Sequence, residues 1–232
     1  MKPDDVTGLY DAAYAASYDR KFLEAPMAEQ DTRHELDVVR ASLVAGLPWL
    51  DAGCGTGYFL SRFPEVERAG IDLSPAMLDA ARAANPGAEL RQHDFREPIR
   101  EWRDRFGLVT CMWYAYAYVD TIDEVGDVIA NLSAWTAPTG RCFVPLCDPQ
   151  RITRCEVPYA IETGWGGPVT ITGVLWSFSD EAGTKHHRHL VSPAVEWMCE
   201  QFGRWFEDVA VFVYPSKAWG ERPGLIANRK RA

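Results

Sequence analysis

Two periods of apolar residues alternate along the first two thirds of the chain. Short runs rich in β-branched, aromatic or small residues read as strands, and Ala-rich stretches between them read as helices. Trp49 to Gly53 predicts a first strand running into the turn Gly-Cys-Gly-Thr-Gly. Ala69 to Leu73 predicts a second, after which Ser74 and Pro75 supply an N-cap and a first-turn proline for a helix that Asn85-Pro86-Gly87 stops. Glu89 to Asp94, Phe106 to Tyr114 and Arg141 to Leu146 predict the third, fourth and fifth strands, with a helix over Thr121 to Trp135. Strands separated by helices imply βαβ units, a parallel sheet and right-handed crossovers.

The pattern changes after Cys147. Val157 to Phe178 is rich in Gly, Thr, Val and Trp with no helical period, and predicts antiparallel strands continued by Lys185 to Val191. Ser192-Pro193 then opens a helix to about Phe202, and Val209 to Tyr214 with Gly224 to Asn228 has the spacing of a hairpin. The chain before Leu47 carries no strand pattern. The prediction is one α/β domain over 1–232: a helical cap at 1–46, a ligand-binding core at 47–147, a β-rich insertion at 148–191, and a terminal helix and β-hairpin at 192–232.

Composition narrows the classes. With 47% apolar and 25% charged residues the chain is an ordinary globular sequence. The 33 acidic residues outnumber the 24 Lys and Arg, for a net charge of −9, which argues against nucleic acid as a partner and suits a cationic ligand. The six cysteines form no CxxC and read as reduced core residues, and no metal site is expected. The leading residues lack a signal-peptide pattern and the longest apolar run is too short to span a bilayer. The expected setting is the cytoplasm, as a monomer or homodimer.

Asp51-Ala-Gly53-Cys54-Gly55-Thr-Gly57 is the most informative segment. Glycines at alternate positions let the backbone turn sharply and approach a ligand, although any strand-to-helix turn favours glycine. A dinucleotide loop would need a third glycine where this chain has Tyr58, and no P-loop Lys follows. Asp72 ends the next strand, where a carboxylate can accept both hydroxyls of a ribose, and Asp94 ends the third. A nucleoside with a cationic group fits three acids at one sheet edge better than a dinucleotide does.

WLDAGCGTG, AGIDLSPAMLDAAR and LRQHDF resemble the first three motifs of class I S-adenosylmethionine-dependent methyltransferases. The resemblance covers about Leu47 to Leu146 and implies a Rossmann-like sheet with S-adenosylmethionine as cofactor. It implies that Gly53, Gly55 and Gly57 pass beneath the methionyl moiety, Asp51 sits near its ammonium, and Asp72 binds the ribose. It further implies that Leu73 and Met77 pack on the adenine and Asp94 accepts from its amine. Cys54, Phe95 and Met112 belong to the same candidate surface.

Two aromatic groups are candidates for the space around the methyl group. Trp113, Tyr114, Tyr116 and Tyr118 crowd the end of the fourth strand, in a segment similar in layout to that of amino-sugar N-methyltransferases. Those enzymes carry a histidine where this chain has Tyr118. Tyr10, Tyr14 and Tyr18 fall on one helical stripe, either plain packing or, as the resemblance implies for a tyrosine followed by aspartate, a lid over the cofactor. In Lys-His-His-Arg-His, strand alternation puts His187 and His189 on one face and His186 on the other, with His187 a candidate proton acceptor. Trp165, Trp176 and Trp219 either line an acceptor pocket or fill a small β core. Tyr118, Tyr18 and His187 are thus the candidate catalytic residues, and Tyr10, Tyr14, Trp113 and Tyr114 the candidate substrate contacts. The expected reaction is N-methylation of a small molecule by in-line displacement. O-methylation, a nicotinamide-dependent dehydrogenase and a non-catalytic nucleoside-binding protein are the alternatives.

Overall fold

The structure, a computed structural model, describes residues 3–148, 172–179, 183, 185–218 and 220–231. Helices α1 (Pro3–Leu9), α2 (Ala12–Tyr18) and α3 (Glu29–Ser42) precede β1 (Trp49–Ala52). There follow α4 (Tyr58–Ser61), β2 (Arg68–Asp72), α5 (Pro75–Ala84), β3 (Glu89–Gln92), β4 (Phe106–Thr110), α6 (Ile122–Trp135) and β5 (Thr136–Pro145). Beyond these lie β6 (Gly173–Ser179), β7 (His186–Pro193), α7 (Val195–Gly203), β8 (Phe206–Ser216) and β9 (Gly220–Lys230).

Seven strands form one sheet in the order β3-β2-β1-β4-β5-β9-β8. The first five are mutually parallel, while β9 runs antiparallel to β5 and β8 antiparallel to β9. The strand order reverses at β1, between β2 and β4, which is where an open α/β sheet opens a crevice at its carboxyl ends. β6 and β7 make a separate antiparallel pair.

Alternation along the strands fills two cores. Leu50, Ala52 and Val109 face one cluster, with Val128 and Leu132 of α6 and Phe202 of α7. Trp49, Leu108 and Phe143 face the other, with Val39 of α3 and Leu78 of α5. Ser74 caps α5 as its sequence predicts, accepting from the Met77 amide at 3.2 Å. Its own hydroxyl donates to the Tyr10 carbonyl at 2.6 Å, which ties the N-terminal cap onto the sheet edge.

Four predicted features differ. The fourth strand stops at Thr110 because Trp113 and Tyr114 both adopt left-handed conformations, with φ of 50° and 60°. Tyr10 does not share a continuous helix with Tyr14 and Tyr18: Asp11 accepts from the Tyr14 amide and starts α2 afresh. Ser192 and Pro193 finish β7 rather than opening a helix, and α7 begins at Val195. His187 and His189 do not share a face, because a bulge in the β6–β7 pairing, with His189 at φ 57°, breaks the alternation. The strands expected over 157–171, and Cys155, Trp165 and Trp219, lie outside the described residues.

Candidate active site

A cavity of about 760 Å³, counted out to its mouth, opens at the carboxyl ends of β1, β2 and β4. Its floor is the loop after β1. Gly53 and Cys54 both donate their amides to the Ile71 carbonyl, which bends the chain over the end of β2. Gly55 has φ +54°, and a Cβ there would come within 3.2 Å of Met77 Cε. Its amide donates to Asp72 Oδ2 at 2.8 Å. Asp72 Oδ1 accepts from the Ser74 amide at the same distance. Two backbone donors thus orient the Asp72 carboxylate at the cavity wall, while burial pushes it above the usual carboxylate range.

Gly57 has a different task. It is not in the cavity wall; at φ +72° it turns the chain into α4, and a Cβ there would lie 2.4 Å from Asn85 Nδ2. Asn85, which ends α5, donates to the Gly57 and Ala81 carbonyls, and its Oδ1 accepts from Arg68 Nη1. The far end of the glycine loop is therefore held by α5 and β2. The four-residue α4 is too short to present a developed helix dipole to a pyrophosphate.

Asp51 is buried and ends β1 at the cavity. Thr110 Oγ1 donates to Asp51 Oδ1 at 2.7 Å and accepts from Trp49 Nε1 at 3.0 Å. Burial pushes Asp51 up to about 7; the Thr110 hydrogen bond opposes this, and the Asp72 and Glu35 charges add to it. A buried carboxylate raised in this way favours a cationic neighbour.

Leu73 and Met77 from the start of α5, with Phe95 after β3, give one side of the cavity an apolar face. Asp94 is not part of that wall. Arg96 clamps it with contacts of 2.6–3.0 Å, and this outweighs burial to hold Asp94 below its ordinary range. The opposite side carries Met112, Trp113, Ala115 and Tyr118, and the N-terminal cap contributes Val6, Tyr10, Tyr18 and Leu23. The Tyr10 ring lies 5.7 Å from that of Tyr118 and 6.1 Å from that of Tyr18, so cap and sheet meet ring to ring.

Tyr14, Tyr114 and His187 stand outside the cavity wall. Tyr14 and His187 lie behind it, hydrogen-bonded to each other at 3.0 Å. Tyr114 points away, because the double left-handed turn sends Trp113 into the cavity and Tyr114 against Arg222, 4.4 Å from its guanidinium. The Arg222 guanidinium also lies 4.7 Å from the Trp113 ring. It is 1% exposed and pairs with Glu35 at 3.2 Å and Asp31 at 3.4 Å, both of α3. Trp176 stacks on Phe178 and donates to Ser192 Oγ, away from the cavity.

Several wall residues carry no sequence signal of their own. Thr56 faces the cavity and donates to Asp19 Oδ1 at 2.5 Å, a second tie between cap and glycine loop. Ala115 and Phe59 have to be small and apolar respectively, which many positions are. Tyr58 is visible in the sequence only as the residue that breaks a dinucleotide pattern. Among the described residues no cluster of three or more His, Cys, Asp or Glu could hold a metal, and no helix is long and apolar enough to cross a membrane.

Comparison with known proteins places this geometry. Residues 50–140 match the family model for a methyltransferase domain. The chain is 31% identical over 135 residues to dTDP-3-amino-3,4,6-trideoxy-alpha-D-glucopyranose N,N-dimethyltransferase of Streptomyces venezuelae, covering 57% of this chain and 56% of that one. It is 34% identical over 140 residues to trans-aconitate 2-methyltransferase of Paracidovorax citrulli, covering 57% and 51%. The chain thus spans about half the length of the curated relatives it matches. The structure aligns with that of a SAM-bound amino pentose methyltransferase from Micromonospora echinaspora involved in calicheamicin biosynthesis. That alignment has a TM-score of 0.62 and 22% identity, over 94% of this chain and 96% of that one. The fold is the Rossmann-like fold of the class I methyltransferases, as the sequence motifs imply, and the likeness to amino-sugar N-methyltransferases read from the segment after the fourth strand is met by the first of these relatives.

Proposed function

On the premise of this methyltransferase domain, we propose that the chain transfers a methyl group from S-adenosylmethionine to a nitrogen of a small molecule, with a nucleotide-linked amino sugar as the first acceptor class to test. The observation that carries the reading is the placement of buried Asp51 at the end of β1 and half-buried Asp72 at the end of β2 in one cavity wall, beside a loop in which Gly53 and Gly55 both sit at positive φ.

The residues present fit the cofactor. Asp72, oriented by the Gly55 and Ser74 amides, keeps lone pairs for two ribose hydroxyls. Asp51 meets the methionyl ammonium at the end of β1. Leu73, Met77 and Phe95 take the adenine faces, and Asp94, held by Arg96, leaves the adenine amine to other acceptors. When bound, the cofactor supplies an electrophilic methyl on a sulfonium. Around that point the chain sets Trp113, Tyr118, Tyr10 and Tyr18, whose faces attract cations. Positioning and exclusion of water do most of the catalytic work in such a site, with roughly 7–11 kcal/mol available from orientation alone. The ties Thr56–Asp19 and Ser74–Tyr10 let the N-terminal cap close over the bound cofactor as a lid.

A relative whose named acceptor, trans-aconitate, has no nitrogen favours oxygen as the second candidate for the methylated atom. The test has two stages. S-adenosylhomocysteine should raise the melting temperature of the purified chain, whereas NAD should not. Transfer of a labelled methyl group to dTDP-3-amino-3,4,6-trideoxyglucose and to trans-aconitate then separates nitrogen from oxygen. Absence of any stabilisation by S-adenosylhomocysteine would remove the cofactor assignment.

A further inference from the structure

His187 is 1% exposed and has a phenol on each ring nitrogen. Tyr118 Oη lies 2.8 Å from Nδ1, and Tyr14 Oη lies 3.0 Å from Nε2. Phe178 fixes the ring from β6, stacked at 4.1 Å and 8°. The bulge after His187 in β7 delivers this one side chain inward while its two successors stay exposed. Tyr118 lines the cavity and His187 does not. Tyr14 lies beneath the Lys185 ammonium, 5.8 Å from its ring, and Lys185 pairs with Asp11 at 2.6 Å on the rim. Three proton-bearing groups in line therefore connect the cavity with the outside of the cap.

We propose that Tyr118, His187 and Tyr14 form a proton exit for the methyl-transfer reaction, with His187 as the final acceptor. The proposal rests on the methyl-transfer reading above. As the N–C bond forms and the C–S bond breaks, positive charge passes from sulfur to the acceptor nitrogen, which then sheds one N–H proton. Tyr118 Oη receives that proton while its own passes to His187 Nδ1. The phenol is neutral before and after, and the imidazole becomes imidazolium with its Nε2–H donated to Tyr14 Oη. The proton reaches solvent when the cap opens. A neutral phenol suits the position, because burial pushes the Tyr118 hydroxyl well above its ordinary ionisation range. A neutral imidazole accepts at one nitrogen and donates at the other, so the arrangement demands the Nε2–H tautomer. The described groups facing His187 are Tyr10 and Tyr14 from the cap, Tyr118 from the segment after β4 and Phe178 from β6, with Lys185 and Asp11 at the rim.

Two measurements test this. Nitrogen-15 spectra of histidine-labelled protein saturated with S-adenosylhomocysteine should show His187 with a bare Nδ1 and a protonated Nε2. A protonated Nδ1 overturns the exit. With dTDP-3-amino-3,4,6-trideoxyglucose, an acceptor that has an N–H proton to shed, His187→Gln should lower kcat about 100-fold or more, within the ~10²–10⁴ range of proton-transfer catalysis; methylation of trans-aconitate alone, whose carboxylates have no proton to lose, overturns the exit. The KM for S-adenosylmethionine should be unchanged, and a plateau in kcat at high pH should give way to a continuing rise. A kcat and pH profile equal to those of the parent overturn it too. If S-adenosylhomocysteine stabilises the parent chain and either result fails, only the exit falls; if it does not stabilise the parent, the methyl-transfer reading falls with it.

Discussion

Asp51→Asn separates the cost of a buried charge from its use. Among the described residues Asp51 has no ion-pair partner at hydrogen-bond range; the Thr110 hydroxyl donates to it at 2.7 Å, and burial lifts it from 3.8 to about 7. At ~1.4 kcal/mol per pH unit that gap corresponds to about 4 kcal/mol against the ionised form in the folded state. Because the folded-state value lies above the unfolded one, the folded chain binds the extra proton between pH 4 and 7. Stability therefore falls as pH rises through that window, and the full cost is present above about pH 7. The asparagine removes the charge and keeps an oxygen for Thr110, at the expense of an amide to satisfy, which costs ~1–3 kcal/mol. The net gain at pH 8 should be about 1–3 kcal/mol, or several degrees in melting temperature at roughly 2–4 °C per kcal/mol for a chain of this size. The gain should shrink as pH falls from 7 to 4. The same substitution should weaken S-adenosylhomocysteine by about 30-fold or more, the ~2 kcal/mol of a charge-assisted hydrogen bond to its ammonium. Parent affinity should rise with pH up to about 7 and then level off. Differential scanning fluorimetry at pH 5 and 8, with and without S-adenosylhomocysteine, reads all of this. A variant no more heat-stable than its parent at pH 8 would refute the argument that burial of this carboxylate is uncompensated.

Other substitutions probe other contacts. Gly55→Val should abolish S-adenosylhomocysteine binding in calorimetry while circular dichroism shows a retained fold, because its branches enter the cavity at φ +54°. Gly57→Ala should instead lower the melting temperature, since its Cβ meets Asn85 and α5 rather than a ligand; equal stability would contradict the packing described. Arg222→Met should cost about 3–5 kcal/mol in urea unfolding by leaving Glu35 and Asp31 uncompensated. Thr56→Val should speed S-adenosylhomocysteine dissociation several-fold in stopped flow with little loss of stability, because it unties the cap from the glycine loop. An unchanged off-rate would separate that tie from gating.

Legibility followed how local the physics was. The parallel half of the sheet was readable because each strand carries a run of apolar residues and each helix its own start and stop, as at Ser74 and Asn85. The cavity floor was readable because glycine at Gly55 answers a backbone need that sequence states directly. Asp94 and Gly57, whose places by the cofactor the family resemblance implies, stand outside the cavity wall. Their fates depend on Arg96 and Asn85, and no spacing rule says that these side chains turn toward them. His187 pointed inward for a reason no alternation could give, a bulge whose left-handed residue is a histidine rather than a glycine. Tyr114 likewise follows from two successive left-handed residues, a conformation that propensity argues against and that tertiary packing imposes. The Arg222–Glu35–Asp31 cluster joins positions nearly two hundred residues apart, beyond the reach of any local pattern.

That cluster binds α3 to the β8–β9 hairpin. Tyr214 and Ser216 of β8 donate to Glu35 and Asp31 of α3, and Arg222 of β9 completes the knot behind Trp113. A ribosome releases residues 206–230 well after residues 29–42, so α3 has none of these partners until that hairpin has emerged. The nascent cap should then exchange its amide hydrogens freely while the central strands are already protected, and the ligand crevice should acquire its Trp113 wall only when the final hairpin docks.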